Sequence, residues 1–561
     1  MSFTTRPLYR GTRGIVAAGH YHAAAAGYRI LLRGGNAVDA AAAAAFALTV
    51  VEPHLNGLAG EVPILIRAAG SRSPVVISGQ GAAPRKLTIE HLRGLGIERI
   101  PGDGLLPATV PALVDAWRAA LERFGTLAPS EVLEPAIELA AGGWPAQKSL
   151  CAILDLSKER ILREWPSTAE VFLPAGKTPV EGQVLRNPGL AKTLRSMASG
   201  RGSRKRKLSK MREAFYEGPV ARAIEKHCRD AHFDASGSAH EGLLTREDLA
   251  AHRTRFEEPV RGEFRGWTVF KAGFWTQGPV FLQLLRILEG FDLAKLGHNS
   301  ADYLHAWIEA AKLAYDDREK YYGDPRFAEV PAAKLLSAER GRAHRAAIDA
   351  LKAASGGRPA ASTPSSRMEG DTTYLAAADR QGNVVSATQS GGWLYSSPVV
   401  AGLGFPLGTR AQMFSLDEKH PNGLQPGKRP RTTLTPSMAL SPRGAWLGFG
   451  TPGGDQQDQW TNQFFLNAAV FGMSLQEAID EPTVHTKHFA DSFYPREAQP
   501  MSLYAEDRIA ASILEELRRR GHDVRLSGPW DHGRVQAVEI DGRVVTGASS
   551  PRKETGYVMG H

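Results

Sequence analysis

Six consecutive alanines, Ala40–Ala45, restrict this chain more than any other feature. Asn36, with Asp39 three residues on, predicts an N-cap and an acidic first turn, so the run sits in a helix. That helix has little side-chain bulk, and its backbone can pack closely against a neighbour. The apolar stretch it begins, Ala40 to Val51, is far short of the ~20 residues of a membrane span. Around it the pattern alternates. An apolar run at Gly14–Ala18 precedes a helical stretch through Leu31–Leu32, closed by Gly34–Gly35, and Ile64–Ile66 and Val75–Ser78 read as strands. The start of the chain is α/β in character.

At 561 residues, 42% hydrophobic and 23% charged, the chain has the make-up of a soluble globular protein, with a prior of three or four folding units at ~150 residues each. Two cysteines, Cys151 and Cys228, exclude a disulfide framework and a four-cysteine zinc site. MSFTTRPLYRGTRG has no apolar core of the kind a secretory leader needs, so the expected location is the cytoplasm. The net charge of +9 is concentrated in Arg201, Arg204, Lys205, Arg206, Lys207, Lys210 and Arg212. Without interleaved aromatics or a DNA-binding motif, this run reads as a solvated surface loop, and neither nucleic acid nor a membrane is expected as partner.

From about Leu106 to Leu351 the pattern is mainly helical, as in Pro111–Phe124, Pro129–Ala141, Val220–Asp230 and Ala301–Tyr322. Residues 352–371 are then small, polar and rich in Pro, Gly and Ser, which predicts a flexible exposed seam. A strand signal at Thr372–Ala378, a turn at Arg380–Asn383 and a second strand at Val384–Gln389 read as a hairpin. A strand-turn-helix unit follows at Ala445–Phe471, then an amphipathic helix at Ala505–Gly521 and strands near Val524 and Val535–Ile540.

The seam abutting Thr372 suggests chemistry. A threonine hydroxyl is a weak nucleophile without an adjacent base. A cut between Asp371 and Thr372 would free an α-amine beside the hydroxyl, and an α-amine titrates near ~7.7–8.0, far below lysine. One residue would then be nucleophile and base together. The other reading is an ordinary Thr-Thr at a strand start after a linker. GFGTPGG, Gly448–Gly454, contains G-x-G-x-x-G in the wrong context for a dinucleotide fold. Either Gly453 and Gly454 expose N–H groups to an oxyanion at a helix start, or they make a tight turn. His20 with His22, and His227, Cys228 and His232, lack metal-ligand spacing; no G-x-S-x-G is present. No metal or other cofactor is expected.

Several collinear segments resemble the gamma-glutamyltranspeptidase family: GGNAVDAAAAAAFALTVVEPHLNGLAG (34–60), LPATVPALVDAWRAALERFG (106–125), GLLTREDLAAHR (242–253), FRGWTVFKA (264–272), DTTYLAAADRQGNVVSATQS (371–390), PGKRPRTTLTPS (426–437), GTPGG (450–454) and GASSPR (547–552). The resemblance implies an α+β fold, the four-layer αββα sandwich of N-terminal nucleophile hydrolases. It also implies self-cleavage at Asp371/Thr372 into a large chain, 1–371, and a small chain, 372–561, that stay together as a heterodimer, with dimers of these a further option. By the same resemblance Thr372 is the nucleophile, Ser390 supports it, and Gly453 and Gly454 form the oxyanion hole.

The chain departs from the family where a glutamyl donor is held. Gln80 stands at the place of an arginine that grips the α-carboxylate, and Thr432 and Thr433 replace a serine pair. Met413 stands where an acid holds the α-ammonium, and Gly392 where an asparagine assists it. A glutamine cannot reproduce an arginine–carboxylate fork. Arg410 and Arg431 are candidates for a different anion site or for structural ion pairs. Trp393 and Phe405 suit either an apolar acyl group or the core. The expected function is a self-processing amide hydrolase acting on a small anionic, oxamate-like amide or another non-standard amide. A genuine gamma-glutamyl hydrolase or transferase and a non-catalytic binding homologue are the alternatives.

Overall fold

The computed structural model describes residues 3–355 and 372–561. Apart from its first four residues, the expected seam lies outside them, as does Asp371. Among the described residues two seven-stranded antiparallel sheets form the centre. Their strands are, in chain order, β1 (Tyr9–Gly11), β2 (Gly14–Ala18), β3 (Ile64–Arg67), β4 (Val75–Ser78), β5 (Arg255–Glu257), β6 (Val260–Phe264), β7 (Trp267–Lys271), β8 (Thr372–Asp379), β9 (Val384–Ser390), β10 (Ser437–Leu440), β11 (Trp446–Gly450), β12 (Gln536–Asp541), β13 (Val544–Ser549) and β14 (Tyr557–Gly560). One sheet runs β1-β13-β12-β11-β10-β7-β6, the other β14-β2-β8-β9-β3-β4-β5.

Strand alternation sorts the side chains into three cores. Tyr374, Ala376 and Ala378 of β8 point between the sheets, where they meet Phe270, Met438 and Val538. Leu375 and Ala377 point the other way, onto the alanine helix and its neighbours. Val269, Leu447 and Phe449 face the opposite outer layer, which holds the helices Pro279–Leu288, Ala301–Tyr321 and Gln457–Ala469. Helices therefore cover both outer faces of the paired sheets, giving an αββα sandwich. The alanine helix, Ala37–Val51, is buried along its whole length; the Asn36 side chain accepts from the Val38 and Asp39 N–H groups, and Asp39 returns a bond to the Asn36 N–H.

The helices expected over 111–124, 129–141, 220–230 and 301–322 are present at Leu113–Phe124, Pro129–Gly142, Pro219–Cys228 and Ala301–Tyr321, and the hairpin strands at Thr372–Asp379 and Val384–Ser390. Three local expectations are corrected. The basic run is a helix, Arg204–Tyr216, capped by Ser203, not a loop. Leu208, Met211 and Phe215 recur at helical spacing and are buried, while the charges occupy the other face. The stretch 505–521 divides into a strand, Ser502–Glu506, and a helix, Ala511–Arg519. The strand pairs with Val484–His485 and Asp523–Ser527, and those partners outweigh the helical pattern of its last residues. The helical middle is interrupted by β5, β6 and β7, which extend both central sheets. Among the described residues no helix is long and apolar enough to cross a membrane.

Candidate active site

The β8–β9 turn fixes where Thr372 sits. Asp379 Oδ1 accepts the Gln381 and Asn383 N–H groups at 2.9 and 3.1 Å, and Oδ2 accepts Asn383 Nδ2 and the Ala37 N–H, both at 2.8 Å. Gly382 takes φ +98°, a conformation that favours glycine. With the turn pinned, the ladder places Thr372 directly opposite Ser390. The buried Thr372 hydroxyl donates to Ser390 Oγ at 3.2 Å.

Ser390 Oγ also accepts Arg410 Nη2–H at 2.6 Å. Arg410 is fully buried, forms an ion pair with Glu61, and lies 4.9 Å from the Trp393 ring and 5.3 Å from that of Phe493. Burial pushes the Glu61 carboxyl up, and Arg410 opposes that shift. Glu61 is tied to the same serine through its main chain: the Glu61 N–H donates to Ser390 O at 2.9 Å and the Ser390 N–H to Glu61 O at 3.0 Å. Gly391, at φ +77°, makes room for this carboxylate, since a Cβ there would lie 2.7 Å from Glu61 Oε2.

Gly453 and Gly454 lie between β11 and the Gln457–Ala469 helix, at φ +126° and +54°. A Cβ on Gly453 would come within 2.2 Å of the Trp460 ring, and one on Gly454 within 3.2 Å of Phe493. Phe493 thus touches both the glycine loop and Arg410. Among the described residues neither glycine N–H meets an acceptor. Asp455 anchors the loop: it pairs with Arg318 and accepts the Ser492 N–H at 2.7 Å and hydroxyl at 2.6 Å. Its carboxyl is buried, which alone would raise its pKa, but Arg318 and the Ser492 bonds hold it low.

Gln277 joins this loop to the Thr432 segment. Its N–H donates to Thr432 O at 2.9 Å and its Nε2 to Gly454 O at 3.3 Å. Arg431 is engaged elsewhere, donating to Glu319 Oε1 at 2.7 Å and Arg318 O at 3.0 Å. Burial would raise the Glu319 carboxyl, but Arg431, Arg318 and Arg496 bring it down to about 2. Met413 lies close by, its carbonyl accepting from Asn422 Nδ2 and Arg496 Nη1. Gln80 and Thr433 differ from all of these: both are buried, and neither Gln80 amide atom nor Thr433 Oγ1 has a hydrogen-bond partner. Gly392 takes φ +64°. Trp393 lies over Arg410, while Phe405 stacks on Phe215 in the core.

Glu61, Glu319 and Asp455 are the site-building residues that sequence reasoning missed. The nearest signal was a carboxylate, Glu61, beside the NGLAG landmark. One His–Glu–His group, His305, Glu309 and His522, has metal-ligand spacing among the described residues. Its atoms are engaged: His305 Nδ1 contacts His522 Nε2 at 2.8 Å, and Glu309 takes Lys312 at 2.7 Å and the Ala354 N–H at 3.0 Å.

The sequence profile of the gamma-glutamyltranspeptidase family matches residues 23–560. The glutathione hydrolase-like YwrD proenzyme of Bacillus subtilis (strain 168) is 34% identical over 97% of this chain and 97% of its own. A solved structure, LmbA2991HD, superposes with a TM-score of 0.96 at 44% identity, covering 100% of both chains. The cephalosporin acylase from Bacillus halodurans superposes at 0.84 with 32% identity, covering 100% of this chain and 98% of that one. Fold, ordered landmarks and full-length similarity agree: the chain belongs to the gamma-glutamyltranspeptidase family and is an amide-hydrolase or acyltransferase enzyme with the N-terminal nucleophile hydrolase fold.

Proposed function

We propose that the chain cleaves itself before Thr372 and that the freed threonine hydrolyses amides whose acyl part lacks the paired charges of a gamma-glutamyl group. The observation carrying the first half is Thr372 at the head of a central strand, its hydroxyl held by Ser390. After cleavage the Thr372 amine takes the proton from Oγ1 as that oxygen bonds the acyl carbon. The Gly453 and Gly454 N–H groups face the developing oxyanion, and the protonated amine returns its proton to the leaving nitrogen. Loss of one such donor typically costs ~2.7–4 kcal/mol of transition-state stabilisation. Water then releases the acyl group.

The acyl preference follows from charge. Arg410 and Arg431 are each matched by a buried or partly buried glutamate, Glu61 and Glu319. Neither cation is free for a substrate carboxylate. The unpartnered groups, Gln80 and Thr433, offer neutral hydrogen bonds. Met413, at the acid's place, gives an α-ammonium nothing to pair with, and a desolvated zwitterion is costly. Similarity to an acylase supports this direction. An anion such as oxamate is the narrower alternative, and it has to draw an arginine away from its glutamate.

Denatured intact mass of wild type and Thr372→Ala tests the first half. Two fragments split at Asp371/Thr372 in the wild type, and one chain in the variant, are expected; an uncut, stable wild type overturns it in favour of a binding protein. Acetyl-, hexanoyl- and phenylacetyl-p-nitroanilide, assayed beside oxamate and gamma-glutamyl-p-nitroanilide, test the second. Preference for gamma-glutamyl-p-nitroanilide overturns this reading, and preference for oxamate favours its narrower, anionic alternative.

A further inference from the structure

We propose that Arg410, braced by Glu61, is a positioning residue for the nucleophile: it fixes the Ser390 side chain beside the Thr372 hydroxyl and lowers the proton affinity of the Thr372 amine. The inference rests on the threonine-nucleophile reading above.

A serine hydroxyl has two lone pairs and one hydrogen. Arg410 Nη2–H fills one lone pair of Ser390 Oγ at 2.6 Å, and the Thr372 hydroxyl fills the other at 3.2 Å. Together they hold the Ser390 side chain in one rotamer beside Thr372 Oγ1; once the chain is cut, the Thr372 hydrogen turns from Ser390 to the new amine while the two oxygens stay in place. Without the guanidinium, the serine side chain could turn among its staggered rotamers and release the threonine. Arg410 cannot drift, because its Nε holds Glu61 and two aromatic rings cover the guanidinium. Glu61 in turn is bonded both ways to the Ser390 main chain. Ser390, Glu61 and Arg410 therefore close a ring, main chain on one side and side chains on the other. The main-chain side of the ring is an antiparallel bridge between Glu61 and Ser390, and the side-chain side adds nothing to sheet pairing.

The two hydrogen bonds through Ser390 keep the Arg410 cation within about 6 Å of Thr372 Oγ1. A cation at that range disfavours the ammonium form of an amine on the same residue, so the base is available at lower pH. Glu61 offsets part of the effect. Among the described residues, Glu52, at the end of the alanine helix, lies close to the Thr373 side, and the buried imidazoles of His20 and His54 stand behind it. All three stay constant when only the Glu61–Arg410 pair is altered.

The test is competitive acetylation of the Thr372 amine by acetic anhydride in the self-cleaved protein, followed against pH by mass on the first peptide of the 372–561 chain. Arg410→Met should move the rising limb up by on the order of one pH unit. Glu61→Gln, which leaves the cation unmatched, should move it down. Arg410→Lys should bring the limb back toward wild type and cleave itself faster than Arg410→Met. A purely structural role predicts slower self-cleavage with unmoved limbs, or limbs that move in one direction, and either result overturns the proposal. So does an amine unreactive at every pH. If Arg410→Met stays uncut, Glu61→Gln and Arg410→Lys decide the matter through the same limb. A wild type that never cuts overturns the nucleophile reading itself; a cut wild type with unmoved variants overturns this inference alone.

Discussion

Thr372 and Thr433 are both buried threonines in the same protein, yet they are left in opposite states. The Thr372 hydroxyl is bonded to Ser390, and behind it stand a guanidinium, a carboxylate and two aromatic rings. The Thr433 hydroxyl has no partner, and neither has the Gln80 amide. A buried polar group without a hydrogen bond is costly, and Gln80 and Thr433 are two of several such residues among those described, so a ligand that satisfied them would gain affinity. On the proposed function, the first region is complete before a substrate arrives and the second awaits one.

The largest expected break is Gly453→Ala, because the site's geometry has no slack there. With φ +126° and a Cβ that would lie 2.2 Å from Trp460, backbone strain and overpacking add to about 3–5 kcal/mol, read as a fall in urea midpoint together with loss of self-cleavage. Next is Arg431→Met, which leaves Glu319 with two of its three arginines and should cost about 3 kcal/mol by the same urea titration. If Arg431 instead awaits an anionic substrate, the loss in stability will be small and the loss in KM large.

Acid titration sharpens the same point. The folded Glu319 carboxyl titrates at about 2, below its ordinary value of 4.5, so its stabilising contribution is present above about pH 4.5 and is lost as pH falls toward 2. Glu319→Gln should remove about 2 kcal/mol of that slope, after allowance for its partial exposure, as seen in melting temperature against pH. The smallest effect is expected at Gln80→Leu. Replacing an unpartnered amide by an apolar group of similar size should change stability by less than about 1 kcal/mol in either direction, while altering the ranking of acyl groups. A large destabilisation at Gln80 would remove the contrast between the two regions.

What could be read from sequence divides along similar lines. The alanine helix, its Asn36 cap and the 372–390 hairpin depend on neighbours a few residues apart, and they were legible. The nucleophile candidate and the glycine pair belong to contiguous landmarks, so they could be proposed from sequence alone. The basic run was misread because seven charges masked the spacing of Leu208, Met211 and Phe215. At Ser502–Glu506 the strand is decided by partners on two other segments, which no local pattern contains. The pairing of Arg410 with Glu61 spans 349 residues and that of Arg431 with Glu319 spans 112. Two arginines could be seen in the sequence, but the carboxylates that cancel them could not, because only the folded chain brings them together.

The order of strands has a consequence for timing. In one sheet β8 and β9 lie between β2 and β3, and in the other β10 to β13 lie between β1 and β7. Segments from either side of Asp371 are thus shuffled like two hands of cards. While the peptide link is whole, finding the right neighbours is a search within one molecule, with an effective concentration set by the length of the connection. Cut too early, the same pieces would have to meet as strangers, each exposing long unpaired strand edges. On the proposed function, a cleavage that needs Ser390 opposite Thr372 waits for the fold, and the bond is spent only after its work as a tether is done.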